Sequence, residues 1–344
     1  MSSDDGAAST ATLTRKDFQT DQEVRWCPGC GDYTILATVQ NFLVEIGADK
    51  SKTVFVSGIG CSSRFPYYMD TYGIHSIHGR APAVATGLAT ARPDLDVWVI
   101  TGDGDALSIG GNHFIHALRR NVNLKILLFN NMIYGLTKGQ YSPTSEIGKI
   151  TKSSPAGTTD HPFNTVSLAL GAEATFVART LDLDRPHTAE VLRAAHRHEG
   201  ASFVEIWQNC NVFNDKAFEL VTGKDTRAEN QIRLHHGEKI TFGPDSEQGV
   251  RFTPQGRAEI VEVAAVGIDE IAVHDAHRED PSLAFSLSRL SNGPYGPTPI
   301  GIFRDVERPT YGDLVEHQIA AARERHGPGD LASLFASGST WTVG

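Results

Sequence analysis

The sequence predicts a doubly wound α/β protein: a mostly parallel sheet with helices on both faces, followed by a C-terminal extension. Three observations carry this expectation. Short, mainly apolar runs recur at 53–57, 97–101, 124–129 and 202–207, the first of them β-branched and aromatic. Stretches with apolar residues at helical spacing lie between them. The strand-like runs lead into Gly, Asn or Cys, where a parallel strand hands the chain to a loop at the sheet edge. A chain of 344 residues suits one large domain or two, with ample length for a core.

The elements follow in order. Residues 1–17 open on Ser, Ala, Thr and Asp and read as a flexible tail without the basic start and apolar centre of a secretory signal. Tyr33 to Ile46 has near-helical apolar spacing, and Gly47 stops it. Thr53 to Ser57 is a buried strand that runs into Gly58-Ile59-Gly60-Cys61. Residues 81–91 are Ala-rich and helical, ending near Pro93. Val97 to Thr101 is a second strand and meets Gly102-Asp103-Gly104-Asp105, with a helix from about Ile109 to Arg119. Leu124 to Phe129 is a third strand, ending at Asn130-Asn131. Residues 141–162 are rich in Ser, Thr, Pro and Gly, a long connection of the functional or mobile kind. Helices at 166–170 and 188–198 alternate with strands at 174–177 and 202–207, the last leading to Cys210. Beyond 225 the pattern loosens: 271–273 and 300–303 read as short strands and 315–325 as a surface helix. The division is therefore 1–17 tail, 18–225 main domain and 226–344 extension.

Composition excludes several classes. The chain has 31 basic against 41 acidic residues, a net charge of -10, which argues against a primary nucleic-acid binder. No run approaches the roughly 18 apolar residues of a membrane span. Four cysteines in a chain this long do not make a secreted disulfide scaffold, so a cytoplasmic protein is expected.

Three constellations carry chemistry. Asp103 and Asn131 each follow a strand, so both side chains belong at the carboxyl edge of the sheet, where such folds bind ligands. A carboxylate and an amide oxygen suit Mg²⁺ holding a diphosphate, and the neighbouring glycines let backbone N–H groups approach phosphate. The plainer reading is two ordinary turns. Cys27-Pro28-Gly29-Cys30 pairs two thiols, and Cys61 and Cys210 can join them through the fold. Four thiolates suit a [4Fe-4S] cluster or a structural zinc; a redox dithiol or a buried pair with two unrelated cysteines stays open. Ile59 to Arg64, with His78-Gly79-Arg80, offers small residues, hydroxyls, a His and two Arg for an anionic pocket, or else a glycine turn with surface charges. His113 and His116 read as a structural pair, and His196, His198, His235 and His236 as solvated surface.

Together these residues have a family likeness. Cys27-Pro-Gly-Cys-Gly31, Gly58-Ile-Gly-Cys-Ser-Ser63, His78-Gly-Arg80, Gly102-Asp-Gly-Asp105 and Asn130-Asn131 through Gln140 occur in this order. The chain resembles the β subunit of 2-oxoacid:ferredoxin oxidoreductases, most of all the two-subunit, actinobacterial 2-oxoglutarate type. The likeness spans about 18–344. It implies the thiamine diphosphate-binding fold, with thiamine diphosphate, Mg²⁺ and one [4Fe-4S] cluster. By position, it implies Asp103, Asn131 and the Ile133 carbonyl as Mg²⁺ ligands. Gly102, Gly104 and Asp105 fall near the diphosphate. Ile59, Gly60, Cys61, Ser62, Ser63, His78, Gly135, Leu136 and Thr137 fall around the cofactor. Cys27, Cys30, Cys61 and Cys210 fall on the cluster. Leu136 stands where some single-chain pyruvate enzymes of the family carry Asn.

The resemblance implies oxidative decarboxylation of a 2-oxoacid, 2-oxoglutarate before pyruvate, with coenzyme A taking the acyl group and ferredoxin the electrons. Arg64 is the candidate contact for a substrate carboxylate, because its fork matches that group; holding the turn after Cys61 is its alternative role. Lys138 and Gln140 are weaker candidates. One α/β core without a duplicate implies that the pyrimidine-binding domain belongs to a separate α subunit. Rival readings are a non-redox thiamine enzyme and a zinc-stabilised scaffold subunit.

Overall fold

The computed structural model describes residues 13–291 and 293–344. Its centre is an eight-stranded sheet formed by β1 (Thr53–Ser57), β2 (Tyr72–His75), β3 (Asp96–Gly102), β4 (Leu124–Asn130), β5 (Phe176–Leu181), β6 (Ala201–Trp207), β7 (Gln231–Leu234) and β11 (Thr298–Asp305). The order across the sheet is β2-β1-β3-β4-β6-β5-β11-β7. All neighbours are parallel except β11 against β5.

Helices cover both faces. Along β4 the side chains alternate: Leu124, Ile126 and Leu128 enter one core, Leu127 and Phe129 the other. The first core is closed by α2 (Ala81–Ala91), α4 (Gly111–Arg119) and α5 (Thr165–Gly171), through residues such as Ala85, Phe114 and Val166. The second is closed by α1 (Asp32–Glu45) and α6 (Arg185–Arg197), through Val39, Phe42 and Leu192. Burial on both faces explains why the central strands β1, β3, β4 and β6 read as mainly apolar runs without a polar face. Each fully buried Phe or Leu contributes about 1.5–3 kcal/mol. A short helix, α3 (Asp103–Leu107), opens directly from β3.

Several expectations are corrected. The 226–344 extension joins the main sheet, where β7 and β11 complete its far edge. Residues 241–262 add a separate antiparallel sheet of β8 (Thr241–Phe242), β9 (Gln248–Phe252) and β10 (Ala258–Glu262). Residues 271–273 form no strand; Val273 makes one bridge to Lys239. The helix expected from Ile109 begins at Gly111. His198 is buried, its ring bonded to Thr175 Oγ1 at 2.8 Å and Asp305 Oδ1 at 2.8 Å. His196 is half-buried and stacks on Trp98. Of the expected tail, 1–12 lies outside the described residues, while Arg15–Phe18 forms a short 3-10 turn that buries Phe18. Tyr311–His326 is a surface helix, as expected, with no buried residue. Among the described residues no helix is long and apolar enough to cross a membrane.

Candidate cofactor and metal site

The register of the central strands builds the site. Gly102 of β3 lies opposite Phe129 of β4, so Asp103 and Asn131 emerge side by side at the carboxyl edge. Every residue expected around the cofactor lines one cavity there, except Ser63. Ser63 is fully buried behind the wall, where its carbonyl accepts from Ser57 Oγ at 2.8 Å.

Asp105 shapes this cavity rather than presenting charge to it. Its Oδ1 accepts from Ile59 N at 3.0 Å and Gly79 N at 2.8 Å and meets His78 Nδ1 at 2.5 Å; its Oδ2 accepts from Thr101 Oγ1 at 2.7 Å. One carboxylate thus pins the 58–60 loop, the 78–80 loop and the end of β3. Gly104 lies beneath the Tyr134 ring, whose hydroxyl donates to the Gly104 carbonyl at 2.9 Å. A side chain at 104 would collide with that ring.

Asp103 is buried, and burial pushes its carboxyl up to about 6 despite hydrogen bonds from Ser142 Oγ at 2.5 Å and Thr144 Oγ1 at 2.6 Å. Asn131 Oδ1 accepts from Ile133 N at 3.2 Å. A buried carboxylate with an amide oxygen at its side fits a hard divalent cation, which would compensate the buried charge. Ser142 and Thr144 were not singled out in the sequence. They lie in the 141–162 connection, which is anchored here beneath Asp103.

The four cysteines converge beside this cavity. Cys30 N donates to the Cys27 carbonyl at 3.0 Å, closing the turn between the first pair. A Cβ placed on Gly135 would lie 3.5 Å from Cys210 Sγ and 3.6 Å from Cys61 Sγ, so both thiols flank Gly135. Ionisation of the Cys30 thiol is opposed by nearby Cys210 and Cys61, and that of Cys61 by Cys210 and Cys27. Burial, with the Asp32 carboxylate close by, pushes the Cys61 thiol up to about 12 and the Cys30 thiol higher. Such thiolates need a cationic centre to form. Among the described residues no three His, Cys, Asp or Glu stand close enough for one metal ion. Thiols that ionise only beside a cationic centre suit an iron-sulfur cluster or a structural zinc.

Two further residues escaped the sequence reading. Asp32 lines the cavity, and burial pushes its carboxyl up to about 7. Both its oxygens lack a well-formed hydrogen bond, although the Cys30 thiol leans toward them. Gln208 links Asn131 to Cys30. The only sequence signal for either is its position two residues from a cysteine.

Arg64 lines a neighbouring cavity of about 430 Å³, with Arg25, Tyr67 and His75, which shares Ile59, Gly60 and Leu136 with the cofactor cavity. Lys138 and Gln140 line neither, and the Gln140 side chain bonds Thr137. His113 and His116 sit on α4 outside both.

A Gly-Asp-Gly corner set against an Asn-Asn corner, ringed by backbone amides on a doubly wound sheet, defines the diphosphate-binding half of a thiamine enzyme. In agreement, the thiamine pyrophosphate enzyme family, C-terminal TPP binding domain, matches residues 58–206. The relatives narrow this class. 2-Oxoglutarate oxidoreductase subunit KorB of Mycobacterium tuberculosis is 62% identical over 330 residues, covering 95% of this chain and 88% of its own. The 2-oxoacid:ferredoxin oxidoreductase 1 subunit beta of Aeropyrum pernix is 45% identical over 198 residues, 58% of this chain and 62% of its own. Among solved structures, 2-oxoglutarate:ferredoxin oxidoreductase from Magnetococcus marinus, with 2-oxoglutarate, coenzyme A and succinyl-CoA bound, superposes with a TM-score of 0.75. It is 33% identical, over 97% of this chain and 98% of that one. The chain belongs to the KorB family, the β subunits of 2-oxoglutarate:ferredoxin oxidoreductases.

Proposed function

We propose that the chain works with an α subunit to convert 2-oxoglutarate and coenzyme A to succinyl-CoA and CO₂, passing electrons through a [4Fe-4S] cluster to ferredoxin. The observation that carries this reading is the gathering of Cys27, Cys30 and Cys210 about Cys61, which itself lines the thiamine cavity. When bound, thiamine diphosphate supplies the electron sink for loss of CO₂ and the cluster supplies one-electron transfer. Asp103, Asn131 and the Ile133 carbonyl hold Mg²⁺. Asp105 keeps the Ile59 and Gly79 loops in place around the diphosphate. Arg64 contacts a substrate carboxylate from the adjoining cavity. The α subunit supplies the pyrimidine-binding domain, since the described residues build one large sheet, with the site at its carboxyl edge. Four free thiols fit the reducing cytoplasm.

The test is activity of the anaerobically purified complex with the partner subunit. Coenzyme A-dependent ferredoxin reduction should be faster with 2-oxoglutarate than with pyruvate, and Cys27→Ser should abolish it. A preference for pyruvate would replace the substrate. Full 2-oxoacid decarboxylation by the β chain alone would overturn the need for a partner, and intact ferredoxin reduction in Cys27→Ser would overturn the cluster assignment.

A further inference from the structure

Gln208 is where the two halves of the site touch. It follows β6 directly and is 1% exposed. Its backbone N–H donates to the Asn130 carbonyl at 2.9 Å, which fixes its place beside the Asn130-Asn131 corner. The side-chain amide is fully used. Oε1 accepts from Asn131 Nδ2 at 3.0 Å. Nε2 donates to the Asn209 carbonyl and to Cys30 Sγ, the latter at 3.3 Å. A carbonyl can only accept, so the Asn209 contact decides which end of the amide is nitrogen.

That orientation has two chemical consequences. With Asn131 Nδ2 held by Gln208, the other end of the Asn131 amide is oxygen, the atom a hard cation takes. Meanwhile an N–H donated to a ligand sulfur withdraws negative charge from it and favours the reduced state of a cluster. Here the effect falls on the thiol that burial and Asp32 penalise most.

We infer that Gln208 is a positioning residue with two outputs: it orients the Asn131 amide for Mg²⁺, and through its N–H···S bond to Cys30 it raises the potential of the cluster. The inference rests on the proposed Mg²⁺ and cluster assignments. A residue that merely fills the end of β6 would do neither.

Two variants separate the outputs. Gln208→Glu keeps the acceptor for Asn131 and removes the donor to Cys30. Gln208→Met removes both at similar volume. In the anaerobic complex with the α subunit, iron and sulfide are counted first, and the cluster is then titrated by EPR. Mg²⁺ affinity is read from the Mg²⁺ dependence of thiamine diphosphate binding after chelation. Both variants should shift the reduced-to-oxidised ratio at fixed potential by about fivefold toward oxidised, about 40 mV at 59 mV per tenfold for one electron. Mg²⁺ affinity should fall about tenfold in Gln208→Met, the usual scale for a partner behind a metal ligand, and stay within about twofold in Gln208→Glu. A wild-type complex without iron and sulfide would overturn the cluster assignment itself. Loaded variants with unchanged midpoints, or an unchanged Mg²⁺ affinity in Gln208→Met, would overturn the role of Gln208 alone.

Discussion

Removing the Asp105 carboxylate should release two loops of the cofactor cavity at once. Four donors converge on it: the Ile59 and Gly79 amides, the Thr101 hydroxyl and the His78 ring. In Asp105→Ala the two amides are left in a buried spot without an acceptor, and the Thr101 hydroxyl keeps only its long bond to the Gly102 carbonyl at 3.4 Å. At about 1–3 kcal/mol for each unpaired group, with some water entering, the local cost is about 4 kcal/mol. Asp105→Asn keeps an oxygen for the two amides and turns its NH₂ toward the Thr101 hydroxyl, so only the benefit of charge is lost, about 1–2 kcal/mol. Hydrogen exchange of the Ile59 and Gly79 amides reads this directly. With 1.4 kcal/mol per tenfold, exchange should accelerate about a thousandfold in Asp105→Ala and about tenfold in Asp105→Asn. Exchange within threefold of wild type at both amides in Asp105→Ala would refute the assignment of Asp105 as the tie between these loops.

Other changes have equally defined outcomes. Arg179 Nε donates to Glu205 Oε2 at 2.7 Å with both side chains buried. Arg179→Met should therefore cost about 3–5 kcal/mol in urea denaturation by stranding a buried charge, and adding Glu205→Gln should recover most of it. Burial, with Arg233 nearby, pushes the His187 ring down to about 4, so it stays neutral in the folded chain where the unfolded chain takes a proton. Stability is then complete above about pH 6.5 and falls toward pH 4 by about 2–3 kcal/mol; His187→Asn should flatten that part of the pH–stability profile. Gly104→Ala drives a methyl group into the Tyr134 ring, an overpacking worth about 1–3 kcal/mol, and should weaken thiamine diphosphate binding in a fluorescence titration.

The parts legible in the sequence share one physical property: their residue type is dictated locally. β1, β3, β4 and β6 are buried on both faces, so each is mainly apolar, with the few polar side chains such as Lys125 and Glu205 paired in the interior. The Gly-Asp-Gly and Asn-Asn corners announce themselves because strand ends need turn residues. β2 gives no signal because its four residues, Gly73 among them, are all exposed at the sheet edge and form no buried apolar run. β11 was read only at 300–303, and nothing local placed it between β5 and β7. Ser142, Thr144, Asp32 and Gln208 are ordinary polar residues whose importance comes from partners far away in sequence, such as Asp103 for Ser142 and Cys30 for Gln208. His198 looked solvated beside Arg197 and Glu199, yet Asp305, from a strand 107 positions away, buries it. Ser63 matched a site motif while its side chain packs behind the cavity wall.

The most direct measurement is a count of iron, sulfide, zinc and thiamine diphosphate in one anaerobically purified sample of the chain with its α partner. Four converging cysteines beside a thiamine site predict about four irons, about four sulfides and about one thiamine diphosphate per chain, with no stoichiometric zinc. Zinc in place of iron, or thiamine diphosphate bound without iron and sulfide, would contradict the redox role of the cysteines.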